Sequence, residues 1–204
     1  QSAPFNSEIP SLGAGYTGDY ALATGCVATA MAQVMKYHQW PTAATADIPS
    51  YTWSNAGITL PSLPAVTFDW VNMIDDYKSG YTAAQGTAVA TLMRYCGQSL
   101  QMNYGEQSDA FSFNLPTALK TYFNYNATTQ FISRSFYGYA DWIDIIYHEL
   151  KQGRPVLYGG SSSGGGHEFV CDGYQYEDYF HINWGWGGSS DDYFKLSALN
   201  PYTQ

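Results

Sequence analysis

The chain is short of charge, and of positive charge most of all: 8 Lys and Arg stand against 17 Asp and Glu, and charged residues make up only 12% of the sequence. A formal charge of -9, with no Lys/Arg cluster to track phosphates, argues against nucleic acid as a partner. Apolar runs are interrupted within a few residues, far short of the roughly 20 needed to cross a bilayer, so no membrane partner is expected. A basic, apolar, small-residue leader is missing at the start, which leaves a cytosolic protein or a processed form. Cysteine is scarce and odd in number at 3. In an oxidising compartment at least one thiol would stay unpaired and deserves to be followed as a reactive group.

What is present is a globular composition. Hydrophobic residues make up 45% of the chain, which disfavours disorder, and 204 residues suffice for one large domain or two tightly packed lobes. The 19 Tyr and 6 Trp suit an extracellular or carbohydrate-rich setting. No solenoid-length repeat is visible, and the low-complexity tract is Ser161 to Gly166, SSSGGG.

Residues 26–38 place Val27, Met31, Val34 and His38 on one helical stripe, and Pro41 stops the pattern. Further helices are predicted over about 83–96 (Val89, Leu92, Met93, Cys96) and about 141–151 (Trp142, Ile145, Ile146, Leu150), the latter ended by Gly153 and Pro155. Beyond Pro155 the pattern turns to strand-like runs at 156–158, 167–174, 179–184 and 193–196. Helices first and strands later predict an α+β fold: a helical part over about 1–150, an antiparallel sheet over 151–204, and a cleft between them.

Cys26 follows Ala23-Thr24-Gly25 and opens an apolar helix, where unpaired N–H groups and the positive dipole end favour a thiolate, and where small residues let a substrate backbone approach. His167 follows a run of glycines and begins a strand. A thiol near a helix start, then a distant strand histidine, then a polar group to orient the ring is the set a thiol protease needs. Asn183 and Trp184 are the candidates for the orienting role. Opposed residues of an antiparallel pair share a face. With an even connecting loop His167 therefore shares its face with Trp184 and Trp186, and with an odd loop or a bulge it shares it with Asn183. A side-chain amide accepts from imidazole N–H whereas an indole only shields or stacks, which favours Asn183 as orienter with Trp184 as a lid. Cys96 and Cys171 fall on apolar faces and are expected to be buried.

At these residues the chain resembles the streptopain family of bacterial cysteine proteases, which includes interpain-type enzymes and has a papain-like two-lobed fold. The similarity rests on ATGCVATAMAQVMKYHQWP around Cys26, GGGHEFVCDGY around His167, FHINWGWGG around Asn183, and the LNP at 199–201. It implies a cysteine endopeptidase acting on proteins and peptides, with Cys26 as nucleophile, His167 as base, and Asn183 and Trp184 supporting the histidine. The start, QSAPFN, is similar to the family's Gln-x-x-Pro-aromatic-Asn segment, which implies Gln1 as an oxyanion donor beside the Cys26 backbone N–H. Gly25, Gly166 and Glu168 flank the reacting pair and are expected to meet substrate. The resemblance further implies a secreted or periplasmic bacterial enzyme, a role in virulence, a monomer, and no cofactor. The propeptide that acts as inhibitor in the family's zymogens is missing, so the expectation is a single mature catalytic domain over 1–204.

Four departures from the family pattern stand out: Glu168 where a small residue is usual, Asp192 where Gly is usual, nothing before Gln1, and an end soon after Asn200-Pro201. The added carboxylate of Glu168 is expected to bear on the base or on specificity. The alternatives are an inactive relative acting as an adhesin or carbohydrate-binding module, and a transpeptidase or deamidase using the same pair. His38, His148 and His181 lack the tight spacing of a metal site, and SSSGGG lacks the Gly-Lys-Ser/Thr ending of a phosphate loop. Asp75-Asp76 and Asp191-Asp192 read as solvated surface acids, not as a glycosidase pair.

Overall fold

The computed structural model describes residues 2–11, 22–54, 56–162, 165–176 and 178–199. The chain divides into two compact units, Gln1–Thr129 and Gln130–Gln204.

In the first unit, helix α1 spans Cys26–His38 and buries Val27, Ala28, Met31, Val34 and Met35. Its Ala- and Met-rich sequence favours helix. Gln39 ends it in the left-handed region (φ 47°), its N–H turned back to the Lys36 and Met35 carbonyls. A short antiparallel pair follows, β1 (Tyr51–Trp53) with β2 (Ile58–Leu60), in the register Tyr51 to Leu60. Helix α2 spans Ala83–Ser99 and begins with a capping box, in which the Thr82 hydroxyl accepts from Gln85 N–H and the Gln85 side chain accepts from Thr82 N–H. It runs past the predicted end at Cys96. Gly97 interrupts the apolar pattern but not the helix, and glycine stands there because the Tyr104 hydroxyl occupies the place a Cβ would take. Helix α3, Leu115–Tyr122, with proline in its first turn, was not foreseen from periodicity, and neither was the β1–β2 pair.

In the second unit, helix α4 (Tyr139–Lys151) precedes an antiparallel sheet of four strands, β3 (Val156–Ser162), β4 (Gly165–Tyr176), β5 (Tyr179–Asn183) and β6 (Asp192–Lys195), in the order β3-β4-β5-β6. The helix was expected to group with the N-terminal part, with a division near 150. It belongs instead with the sheet, because Trp142, Ile146 and Leu150 bury their stripe among Tyr158, Phe169, Cys171, Phe180 and Ile182.

The β4–β5 register decides which residues share a face. From the turn inward, Tyr176 pairs with Tyr179 and Tyr174 with Phe180, which leaves Gln175 as an extra residue; Gly173 pairs with His181 and Cys171 with Ile182, which leaves Asp172 as another. Each bulge shifts facing by one position, and two bulges cancel. Val170 therefore lies opposite Asn183, and His167 and Phe169 lie on the face of Ile182 and Trp184. Asn183 points to the other face, that of Val170 and Glu168.

Candidate active site

Cys26 is the first residue of α1 and is half-buried, whereas Cys96 and Cys171 are buried as expected. Burial alone pushes the Cys96 thiol far up, and burial with a smaller push from the Asp172 carboxylate raises Cys171 to about 12, so neither is disposed to ionise. Gly25 at the N-cap has φ 86°, and a Cβ there would lie 2.8 Å from Met102 Sδ. Glycine is required on both counts. Its carbonyl is held by Thr29, through the amide at 3.0 Å and the hydroxyl at 2.8 Å.

The approach to Cys26 is fastened from two other segments. Ser108 Oγ donates to the Ala23 carbonyl at 2.6 Å, Ala23 N–H donates to Gly105 O at 3.1 Å, and Asn6 Nδ2 donates to Leu22 O at 3.1 Å. Asn6, buried, is the Asn of the QSAPFN segment, so that segment is tied directly to the strand of chain leading to the thiol. Gln1 lies outside the described residues. Ser108 and Asn6 were not singled out by sequence reasoning, and nothing in the spacing of a polar loop marks such a brace.

His167 Nε2 lies 2.8 Å from the carbonyl oxygen of Trp184. A carbonyl only accepts, so Nε2 carries the proton, and the neutral ring keeps its lone pair on Nδ1. The ring is packed in an aromatic stack, with centroids 5.0 Å from Trp186, 6.2 Å from Trp184 and 6.1 Å from Phe169. The Trp184 ring thus lies beside the histidine, with that of Trp186 nearer still. Trp184 also supplies the acceptor, through its main chain, a role that weighing side chains alone left out.

Asn183, favoured as the direct orienter, accepts the Gly185 N–H on its Oδ1 at 2.9 Å. Asp191, read as a surface acid, is half-buried, and its Oδ1 accepts the Trp184 N–H at 2.9 Å. Glu168 is 5% exposed, with its carboxylate laid over Gly159, where only glycine leaves room for it. That places it inside the sheet on the face away from His167, a packing position and not the substrate-facing one expected. Gly166 is exposed, opposite Ser161. Trp186 was visible in the sequence as the residue an even loop brings to His167; Asp191 carried no such signal.

Other predicted and unpredicted features lie elsewhere. A cavity of about 370 Å³ in the first unit is lined by residues including Val66, Phe68, Asp69, Thr87 and Thr91, none of them a predicted site residue. His181 pairs with Asp172 at 2.5 Å, and among the described residues no group of three or more His, Cys, Asp or Glu gathers as a metal site. Among those residues no helix is long and apolar enough to cross a membrane.

A family model, that of the peptidase C10 family, matches residues 1–194. Streptopain of Streptococcus pyogenes is 41% identical over 194 residues, covering 91% of this chain and 48% of its own length. The thiol protease/hemagglutinin PrtT of Porphyromonas gingivalis is 37% identical over 203 residues, covering 98% of this chain and 23% of its own. The chain thus spans about half the length of streptopain and less of PrtT. Among solved structures, active wild-type interpain A cysteine protease of Prevotella intermedia is similar at TM-score 0.87 and 38% identity, over 98% of this chain and 84% of that one. A mutant prointerpain A fragment from the same organism gives TM-score 0.86 and 37% identity, over 100% and 64%. The expected α+β, papain-like fold class holds in this likeness.

Proposed function

The chain belongs to the peptidase C10 family, and we propose that it is a cysteine endopeptidase in which Cys26 is the nucleophile and His167 the general base. The observation that carries the proposal is the commitment of His167 Nε2–H to the Trp184 carbonyl, which reserves Nδ1 for proton transfer. Cys26 complements it as the one cysteine of the chain that is not buried, set at a helix start where the dipole favours a thiolate.

In the proposed cycle the Cys26 thiol gives its proton to His167 Nδ1, and the thiolate attacks the scissile carbonyl. The imidazolium then protonates the leaving amine, and the acyl-enzyme forms. Water attacks the acyl-enzyme with His167 again as base, releasing the acid and restoring the thiol. The Cys26 N–H, at the first position of α1, is suited to hydrogen-bond the developing oxyanion, and Gln1 is assigned the second donor. Gly25 and Gly166 are assigned to close passage of the substrate backbone. The two units together would constitute the catalytic domain, acting as a monomer, secreted by a bacterium and held inactive beforehand by its own propeptide.

The test is labelling with an epoxysuccinyl peptide at about pH 7, combined with casein cleavage by the wild type and by Cys26→Ala. Selective modification of Cys26 over Cys96 and Cys171, and loss of cleavage in Cys26→Ala, are expected. Equal cleavage by the two proteins overturns the assignment.

A further inference from the structure

We infer that Asp191 is a positioning residue for His167, acting through the main chain of Trp184; the inference rests on the reading of His167 as the general base. The acceptor for the imidazole N–H is a carbonyl just beyond the end of β5, where the ladder no longer holds the backbone. The chain that follows contains Gly185, Gly187 and Gly188, all at positive φ. Left to itself, such a segment can turn its peptide planes at little cost.

Two side chains fix it. Asn183 Oδ1 accepts the Gly185 N–H at 2.9 Å, and this N–H belongs to the same peptide group whose oxygen receives His167. Asp191 Oδ1 accepts the Trp184 N–H at 2.9 Å, gripping the preceding peptide group. Between them they anchor the peptides on both sides of the Trp184 Cα, so the two soft dihedrals that aim its carbonyl are held. The β5–β6 register explains why Asp191 can do this: Ile182 pairs with Asp192, which brings the residue just before β6 back alongside the residues just after β5. A carboxylate is the stronger kind of acceptor for a peptide N–H, which suits a clamp on a glycine-rich turn. Asn183 therefore orients the histidine at one remove, and Asp191 completes the grip from across the turn.

The experiment compares wild type, Asp191→Ala and Asp191→Asn in the full chain. It follows kcat and KM on a peptide substrate, together with the downfield His167 Nε2–H proton resonance in protein with isotope-labelled histidine. Asp191→Ala is expected to lower kcat by about 10- to 100-fold with KM within about twofold, since misplacing a catalytic group by about 1 Å costs on that order. Its Nε2–H resonance is expected to weaken or vanish through exchange with water. Asp191→Asn keeps an acceptor oxygen and is expected to recover about a third or more of the wild-type kcat and to keep the resonance. Wild-type kcat and an intact resonance in Asp191→Ala overturn the inference, as does an equal fall in both variants with the resonance unchanged. If the wild type cleaves nothing, the base reading fails and the resonance alone still decides whether Asp191 holds the histidine. If Asp191→Ala does not fold, Asp191→Asn decides: loss of its resonance overturns the inference and retention supports it.

Discussion

Gly25 shows how narrow the tolerance is at the residue before Cys26. Its backbone, φ 86° and ψ 143°, is a conformation open almost only to glycine, and a Cβ would sit 2.8 Å from Met102 Sδ and 3.1 Å from the Ser108 carbonyl. Gly25→Ala is expected to cost about 1–3 kcal/mol, a fall in Tm of roughly 2–12 °C, measurable by calorimetry. Thiol labelling of Cys26 should slow in the same variant, since the first turn of α1 must shift to relieve the clash. Unchanged Tm and labelling would show that the turn accommodates a methyl group. At this scale the sequence was informative about the proposed reacting residues and silent about what supports them. Cys26 and His167 announce themselves by residue type and order. The brace from Ser108 and the tie from Asn6 run to main-chain oxygens at Ala23 and Leu22 that no letter of the sequence singles out.

Among the elements, α2 illustrates a buried polar network that fastens neighbouring segments. Gln98, 1% exposed, accepts from Arg94 Nη1 at 2.7 Å and donates to the carbonyls of Pro49 at 2.9 Å and Pro61 at 3.0 Å. These carbonyls flank the β1–β2 pair, so one side chain of a helix holds both ends of the hairpin. Gln98→Ala strands a buried guanidinium and two carbonyls and is expected to destabilise the protein by about 2–4 kcal/mol, read from the urea midpoint. A change below about 0.5 kcal/mol would mean that the network is replaced by water or rearrangement. Elements with sustained periodicity were readable: α1, most of α2, α4 and the strand-rich end all follow from apolar spacing. The three-residue strands β1 and β2 are too short to show a period, and Pro116 in the first turn of α3 reads as a breaker unless its position at a helix start is known. The facing of His167 was left open for a countable reason. Two bulges lie in β4, and bulges have no reliable sequence mark.

For the whole molecule, each compact unit holds one buried thiol, Cys96 in the first and Cys171 in the second. Burial, with a smaller push from the Asp172 carboxylate, raises the Cys171 thiol from its ordinary 9.0 to about 12, and burial raises Cys96 further. The folded state therefore keeps protons that the unfolded state releases. Their contribution to stability is whole below about pH 9 and is lost as pH rises from there toward the folded values, at up to about 1.4 kcal/mol per pH unit for each group. Tyr104, moved up to about 12 mainly by burial, acts in the same direction once pH passes its ordinary 10.0. Urea midpoints are expected to fall between about pH 8 and about pH 10.5, with a shallower fall in Cys171→Ala. A flat profile over that range would contradict the burial of these groups. Modification of Cys96 and Cys171 by a thiol reagent along the urea curve would report the opening of each unit separately.

The hydrogen bond from His167 ends on a backbone oxygen, and that has a consequence for how such a site can be dissected. An atom every amino acid possesses cannot be deleted by substitution. An alanine scan would record Trp184 through its lost ring and leave the acceptor in place. Replacing the peptide link itself, for example by an ester at the Trp184–Gly185 bond, would weaken that oxygen and also remove the Gly185 N–H that Asn183 accepts, while leaving every side chain in place. The atom that holds the His167 ring is thus also the one least open to loss by point mutation, and variation at position 184 is free to alter the ring beside the histidine without removing its anchor.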